Sequence, residues 1–138
     1  MLTTIEKVLL LQGVDILVDT ETENLAKIAA IAREVRFEEG ATIFKEGEPS
    51  DALYIVVEGT VSVRKGSQEI GLVKDKETVG GTDLFEQTPR TLTLVALTGT
   101  TTLKIEREGL FDLLADHFDI VRGILKRLSR IISQLLDR

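Results

Sequence analysis

The chain has 138 residues, 43% of them apolar and 29% charged, the balance of one globular domain large enough to bury a core. It has no cysteine and a single histidine, His117, which removes disulfides and thiolate chemistry and leaves too few ligands for the usual transition-metal sites. Lysine and arginine number 17 against 23 aspartates and glutamates, a net charge of −6, so the surface repels a phosphate backbone and no direct nucleic-acid partner is expected.

In chain order, Thr3-Thr4-Ile5-Glu6 has capping-box spacing and opens a short helix to about Leu11. Glu6, Lys7 and Asp15 interrupt the apolar residues of this segment and no small-residue cleavage pattern follows, so no secretory signal is expected and the location read from the sequence is cytoplasmic. A second helix starts near Thr22 and runs to about Arg33, with Leu25, Ile28, Ala29 and Ala32 on one face. From Val35 the pattern becomes β: short runs at Thr42 to Phe44, Leu53 to Val57, Thr60 to Arg64, Glu69 to Val73, Thr91 to Thr98 and Thr101 to Ile105, with glycine-bearing turns between them. Strands this short and turns this frequent describe an antiparallel roll, jelly roll or barrel rather than a parallel α/β sheet. Alternation places Ile43, Phe44, Leu53, Ile55, Val57, Val61 and Val63 inward.

After Glu106 the helical period returns, and Ile120 to Leu136 reads as a long final helix. Its residues Val121, Ile124, Leu128, Ile131 and Leu135 recur at spacings of three and four, a heptad seam, with Ile120, Leu125, Ile132 and Leu136 on its flanks. That seam predicts a homodimer; a helix that covers only its own roll is the other reading. Five basic residues after His117 (Arg122, Lys126, Arg127, Arg130, Arg138) stand against Asp119 and Asp137, a net of +3 that leaves −9 on the first 117 residues. Either a basic helix is attracted to an acidic body, or these charges form a solvated face. The longest uncharged run near the middle, Thr91 to Leu103, is 13 residues, short of the roughly 20 that a membrane span needs.

Catalytic constellations are absent from the sequence. A metal-binding β-barrel of the cupin type needs several histidines, the serines sit in no nucleophile elbow, and His117 reads as a capping or surface residue between two helices. No enzyme and no cofactor are expected. The informative stretch is Val79 to Thr93, VGGTDLFEQTPRTLT. Gly80 and Gly81 leave a strand and open a helical turn whose N–H groups lack intrahelical partners, Pro89 fixes a turn, Arg90 offers a bidentate guanidinium, and Thr91 adds a hydroxyl. Residues of this kind can hold a small phosphate, although glycine pairs are common in turns and most arginines are surface residues.

With this cassette, the stretches Phe37-Glu38-Glu39-Gly40-Ala41-Thr42-Ile43-Phe44-Lys45-Glu46-Gly47-Glu48 and Asp51-Ala52-Leu53-Tyr54-Ile55-Val56-Val57-Glu58-Gly59-Thr60-Val61 resemble the cyclic-nucleotide-binding domains of catabolite activator proteins and kinase regulatory subunits. The resemblance runs from Ile5 to about Leu136. It implies an α+β fold: a helical N-terminal piece (1–34), an antiparallel β-roll of jelly-roll type (35–106) carrying a phosphate cassette at 79–93, and C-terminal helices (107–138) that close over the ligand, all in one domain. By the same resemblance Gly80 matches the cassette glycine, Arg90 the phosphate-binding arginine and Thr91 the small residue beside it. Gly80, Gly81, Thr82, Arg90 and Thr91 are therefore the expected site for cyclic AMP, cyclic GMP or a similar small phosphate.

Three positions depart from the family pattern. Gly81 stands where the family has the glutamate that binds the ribose 2′-hydroxyl, and Leu92 replaces an alanine. Asp83, at capping-box spacing from Glu86, is positioned to take the N–H groups that a phosphate would use and to pair with Arg90, or else to face solvent as a first-turn acid. The expected function is that of a non-enzymatic sensor that binds its ligand weakly and passes the signal through its last helices. A module that keeps the fold for interaction or dimerisation without nucleotide is the alternative. A helix-turn-helix segment follows the long helix in catabolite activators but not here, so the output is expected through a protein partner, self-association or a longer parent chain.

Overall fold

The computed structural model describes residues 1–137, which form two compact units: Ala32–Arg107, and Met1–Ile31 together with the chain from Glu108 onward. The β unit holds eight strands: β1 (Ala32–Phe37), β2 (Thr42–Phe44), β3 (Ala52–Glu58), β4 (Val61–Lys65), β5 (Gln68–Val73), β6 (Thr78–Val79), β7 (Thr93–Ala96) and β8 (Thr100–Glu106). They pair antiparallel in two four-stranded sheets, ordered β1-β8-β3-β6 and β2-β7-β4-β5. This is the α+β roll that the sequence indicates. The roll opens at Ala32 rather than Val35, because Ala32 and Arg33 pair with Ile105 and Lys104 and so leave the preceding helix early.

The core of the roll comprises Ile43, Phe44, Ala52, Tyr54, Val56, Val61 and Leu94, with Phe37, Val63, Val73, Val79 and Leu92 packed against it. The expected phase of β3 is thereby corrected. Ala52, Tyr54 and Val56 belong to this cluster; Ile55 is also buried, while Leu53 and Val57 are half-buried. Both alternate sets on this strand are apolar, and β3 lies inside its sheet between β8 and β6, so hydrophobic period alone does not fix which set points inward.

The helical unit contains α1 (Thr4–Gln12), a single 3-10 turn (Asp15–Leu17), α2 (Thr22–Ile31), α5 (Phe118–Leu136) and all but the first residue of α4 (Arg107–Asp116). The expected capping box is present: Glu6 N–H donates to Thr3 Oγ1 at 3.2 Å and Thr3 N–H to Glu6 Oε1 at 3.0 Å. The basic residues of α5 divide between pairing and exposure. Arg127 pairs with Asp15 at 2.7 Å and Arg130 with Asp19 at 3.3 Å. Asn24 Nδ2 donates to Asp119 at 2.7 Å, a bond that holds the Asp119 carboxyl below its ordinary pKa. Gly123 lets α5 come close, since a Cβ there would stand 2.8 Å from the Asp19 carbonyl.

These contacts set the rotation of α5. Ile120 and Gly123 are buried, Val121, Ile124, Arg127 and Ile131 are half-buried, and Phe118, Leu125, Leu128, Ile132 and Leu135 are exposed. Of the expected seam, Leu128 and Leu135 lie on the open face, whereas Ile124 and Ile131 lie on the side of Arg127, which reaches the 3-10 turn. No helix among the described residues is long and apolar enough to cross a membrane.

Candidate ligand-binding cleft

Strand β6 ends at Val79, and Gly80 turns the chain with φ 84° and ψ 6° into the short helix α3 (Gly81–Glu86). That left-handed backbone is one a residue with a Cβ resists. Gln87, also left-handed at φ 58°, ends α3 and sends the chain back over it. Thr88 N–H then donates to the Asp83 carbonyl at 3.1 Å, and Ser50 Oγ donates to the Thr88 carbonyl. Arg90 N–H donates to the Glu48 carbonyl at 2.8 Å, and Gly47 N–H to the Arg90 carbonyl at 2.8 Å. The C-terminal end of the cassette is thus pinned to the loop between β2 and β3.

Between the cassette and the roll lies a cleft of about 420 Å³. Gly80, Gly81, Thr82 and Thr91 of the expected set line it, with Asp83, and its apolar walls are Phe44, Val63, Val79, Leu92 and Leu94. These wall residues escape a local reading of the sequence. Phe44 reaches the site through its pairing with Leu94, a partner fifty residues further along the chain. Leu92, at the position where a small residue is expected, forms part of the wall. At Gly81 a Cβ would meet nothing within 4 Å, so a longer side chain has room there.

Arg90 is not among the residues lining that cleft. It is 3% exposed and lies behind Gly80: Nη1 donates to the Gly80 carbonyl at 2.8 Å, Nη2 donates to the Ala52 carbonyl, and the guanidinium stands 4.0 Å from the centroid of the Phe44 ring. Its planar fork matches two carbonyls on separate segments, a geometry that a lysine would not reproduce. Nε is buried without a partner among the described residues. The arginine opens instead on a recess of about 210 Å³ that it shares with Glu48, Asp51, Tyr54 and Lys104. Burial lowers its pKa from the usual value, and the negative field of Asp51, more than those of Asp83 and Glu48, opposes that shift.

Asp83 is 8% exposed, which rules out the reading of a first-turn acid facing solvent. It does not pair with Arg90 among the described residues, nor does it cap α3. Its Oδ2 accepts the Thr91 N–H at 3.3 Å, and its Oδ1 and Oδ2 lie 3.2 and 3.4 Å from Thr91 Oγ1. The reversal of the chain at Gln87 explains this, because it carries Thr91 back beside the first turn of α3. The distances are long for O–H···O bonds, so the carboxylate occupies both donors of Thr91 without gripping them tightly.

Relatives with the same architecture are known. Over 122 residues the chain is 28% identical to the CRP-like cAMP-activated global transcriptional regulator of Mycobacterium tuberculosis, covering 80% of this chain and 54% of that one. It is 31% identical over 114 residues to the cAMP-dependent protein kinase regulatory subunit of Aspergillus niger, covering 81% of this chain and 28% of that one. The chain therefore spans about half the length of the first and less of the second. The crystal structure of the N-terminal domain of a transcriptional regulator from Streptomyces coelicolor superposes with a TM-score of 0.81 at 28% identity, covering 93% of this chain and 95% of that one. The sensor domain of the regulator DNR from Pseudomonas aeruginosa shares the fold, with a TM-score of 0.78 at 20% identity and coverage of 98% and 94%. The family model described as "Cyclic nucleotide-binding domain" matches residues 34–117, a stretch that takes in β3, the cassette and Arg90, and the chain belongs to that family.

Proposed function

We propose that this chain is a non-catalytic, cytoplasmic sensor that binds a cyclic nucleotide weakly in the cleft between Phe44 and the cassette. The observation that carries the reading is the cleft itself: about 420 Å³, apolar on one side, with Thr91 and the glycines of the cassette on the other, in a family named for this ligand. Such a volume falls within the range of small-molecule sites. The weakness has two local causes. Gly81 offers no acceptor to a ribose hydroxyl, and Asp83 holds the Thr91 donors. A hydrogen bond to a charged group contributes about 1.5–3 kcal/mol, so the loss at Gly81 alone costs roughly ten- to a hundredfold in affinity. Isothermal titration with cyclic AMP and cyclic GMP tests this. The double variant Gly81→Glu with Asp83→Ala is expected to bind one of them at least tenfold more tightly than the wild type; tight wild-type binding, or no gain in the variant, contradicts the proposal.

A second reading concerns output. The exposed residues Phe118, Leu125, Leu128, Ile132 and Leu135 form one stripe along α5, and their spacings are those of a heptad seam. The occupant that matches such a stripe is a second copy of the same helix, in a twofold pairing that buries both stripes together. Because α5 belongs to the unit that also holds the N-terminal helices, a change in its pairing is the proposed route by which ligand binding is transmitted. Replacing Leu128 and Leu135 with lysine is expected to give folded monomers from a wild-type dimer, read by sedimentation equilibrium at high micromolar concentration. A monomeric wild type at that concentration overturns this reading.

A further inference from the structure

Asp83 changes what the cleft requires of its occupant. It is the one charged side chain among the described residues that line the cleft, and after accepting from Thr91 its carboxylate still has lone pairs to offer. Arg90, the cation next to it in the cassette, turns both Nη groups to the carbonyls of Gly80 and Ala52, does not line the cleft, and shares its field with Asp51 and Glu48 as well. A group entering beside Thr91 therefore meets a carboxylate that is only 8% exposed, whose charge is screened less than at an open surface. A 3′,5′-cyclic phosphate suits this place poorly. It brings a negative charge, and with O3′ and O5′ esterified the phosphate end has no hydrogen to donate there, the one free ribose hydroxyl being the 2′. The parent nucleoside carries the same base and sugar for the wall of Phe44, Val63, Leu92 and Leu94, has no charge, and keeps free 3′ and 5′ hydroxyls, both donors.

We infer that the cleft takes a neutral nucleoside in preference to its 3′,5′-cyclic phosphate, with a ribose hydroxyl donating to Asp83. The inference rests on the reading that this cleft is the ligand site, and it replaces the phosphate by a donor at the position beside Thr91. The like charge of a phosphate beside Asp83 is unfavourable where burial reduces screening, whereas the apolar wall meets the same base in both compounds, so the discrimination falls on the phosphate and not on the base.

Calorimetric titration of the wild type with adenosine, cyclic AMP, guanosine and cyclic GMP tests it directly. At least one nucleoside is expected to bind tenfold or more tightly than its own cyclic phosphate, and in Asp83→Asn, which keeps the shape and removes the charge, that preference is expected to fall by at least tenfold. A cyclic phosphate that binds the wild type more tightly than its nucleoside overturns the inference and leaves the cleft as the nucleotide site. A nucleoside preference that survives unchanged in Asp83→Asn removes Asp83 from the explanation and overturns it too. Absence of binding by all four compounds at millimolar concentration, in both proteins, overturns the inference together with the function proposed for the cleft. The wild-type comparison stands without the variant, so failure of Asp83→Asn to fold does not shield the proposal.

Discussion

Gly80→Ala is expected to destabilise the protein by about 3 kcal/mol, the joint effect of a strained backbone and a steric clash, each worth roughly 1–3 kcal/mol. Gly80 has φ 84°, where an alanine is strained. The added Cβ would also stand 2.7 Å from Arg90 Nη1 and 3.3 Å from both the Ala52 carbonyl oxygen and Phe44 Cε2. The first of these atoms is the far end of a long side chain, but it is pinned by its bond to the Gly80 carbonyl and by the Phe44 ring. Relief of the clash therefore costs a charge-assisted hydrogen bond. Gly81→Ala is the control: its backbone is not left-handed and nothing lies within 4 Å of the new Cβ, so a change within about 0.5 kcal/mol is expected. In thermal unfolding the first variant should lose roughly 10 °C and the second little. Equal effects at the two glycines would contradict the geometry described for the cassette.

The architecture was legible in the sequence because two independent patterns agree on it. The hydrophobic period changes near Val35 and again after Glu106, and glycines mark the turns between the short runs. Strand β6 was legible only as the strand that Gly80 and Gly81 leave, and not in its extent, since two residues, Thr78 and Val79, are too few for any period to show. The phase of β3 was hidden for the opposite reason, both faces being apolar. On α5 the spacing revealed a seam but not its rotation. Apolar residues flank the seam on both sides, and the choice is made by Asp15, Asp19 and Asn24, residues distant in the chain whose contacts with Arg127, Arg130 and Asp119 turn the helix. At the cassette, the residue types were readable and their partners were not. Asp83 stood out as an acid where a phosphate is expected, yet its bond to Thr91 depends on the left-handed Gln87, a conformation for which glutamine carries no signal.

Arg90→Ala is expected to cost about 3–5 kcal/mol without any ligand present, the range for breaking a buried hydrogen-bonded network around a charged group. The sequence gives Arg90 a single task, contact with a ligand phosphate, and a residue with only that task can be removed from the free protein at little cost. The structure gives it another. Its two Nη groups join the carbonyl of Gly80, at the start of α3, to that of Ala52, at the start of β3, and its guanidinium covers Phe44, a member of the roll's core. Truncation takes a charge-assisted donor from each of two inward carbonyls and leaves a void beside the ring. Three variants separate these contributions. Arg90→Met keeps the bulk of the stem and loses the hydrogen bonds, so it should recover only the packing part of the loss. Arg90→Lys keeps the charge but cannot span two carbonyls from one nitrogen, so it should fall between methionine and wild type. Urea denaturation of the free proteins measures all three. If alanine lies within 0.5 kcal/mol of wild type, the clamp does not hold β3 to the cassette, and Arg90 reverts to a residue kept for its ligand alone.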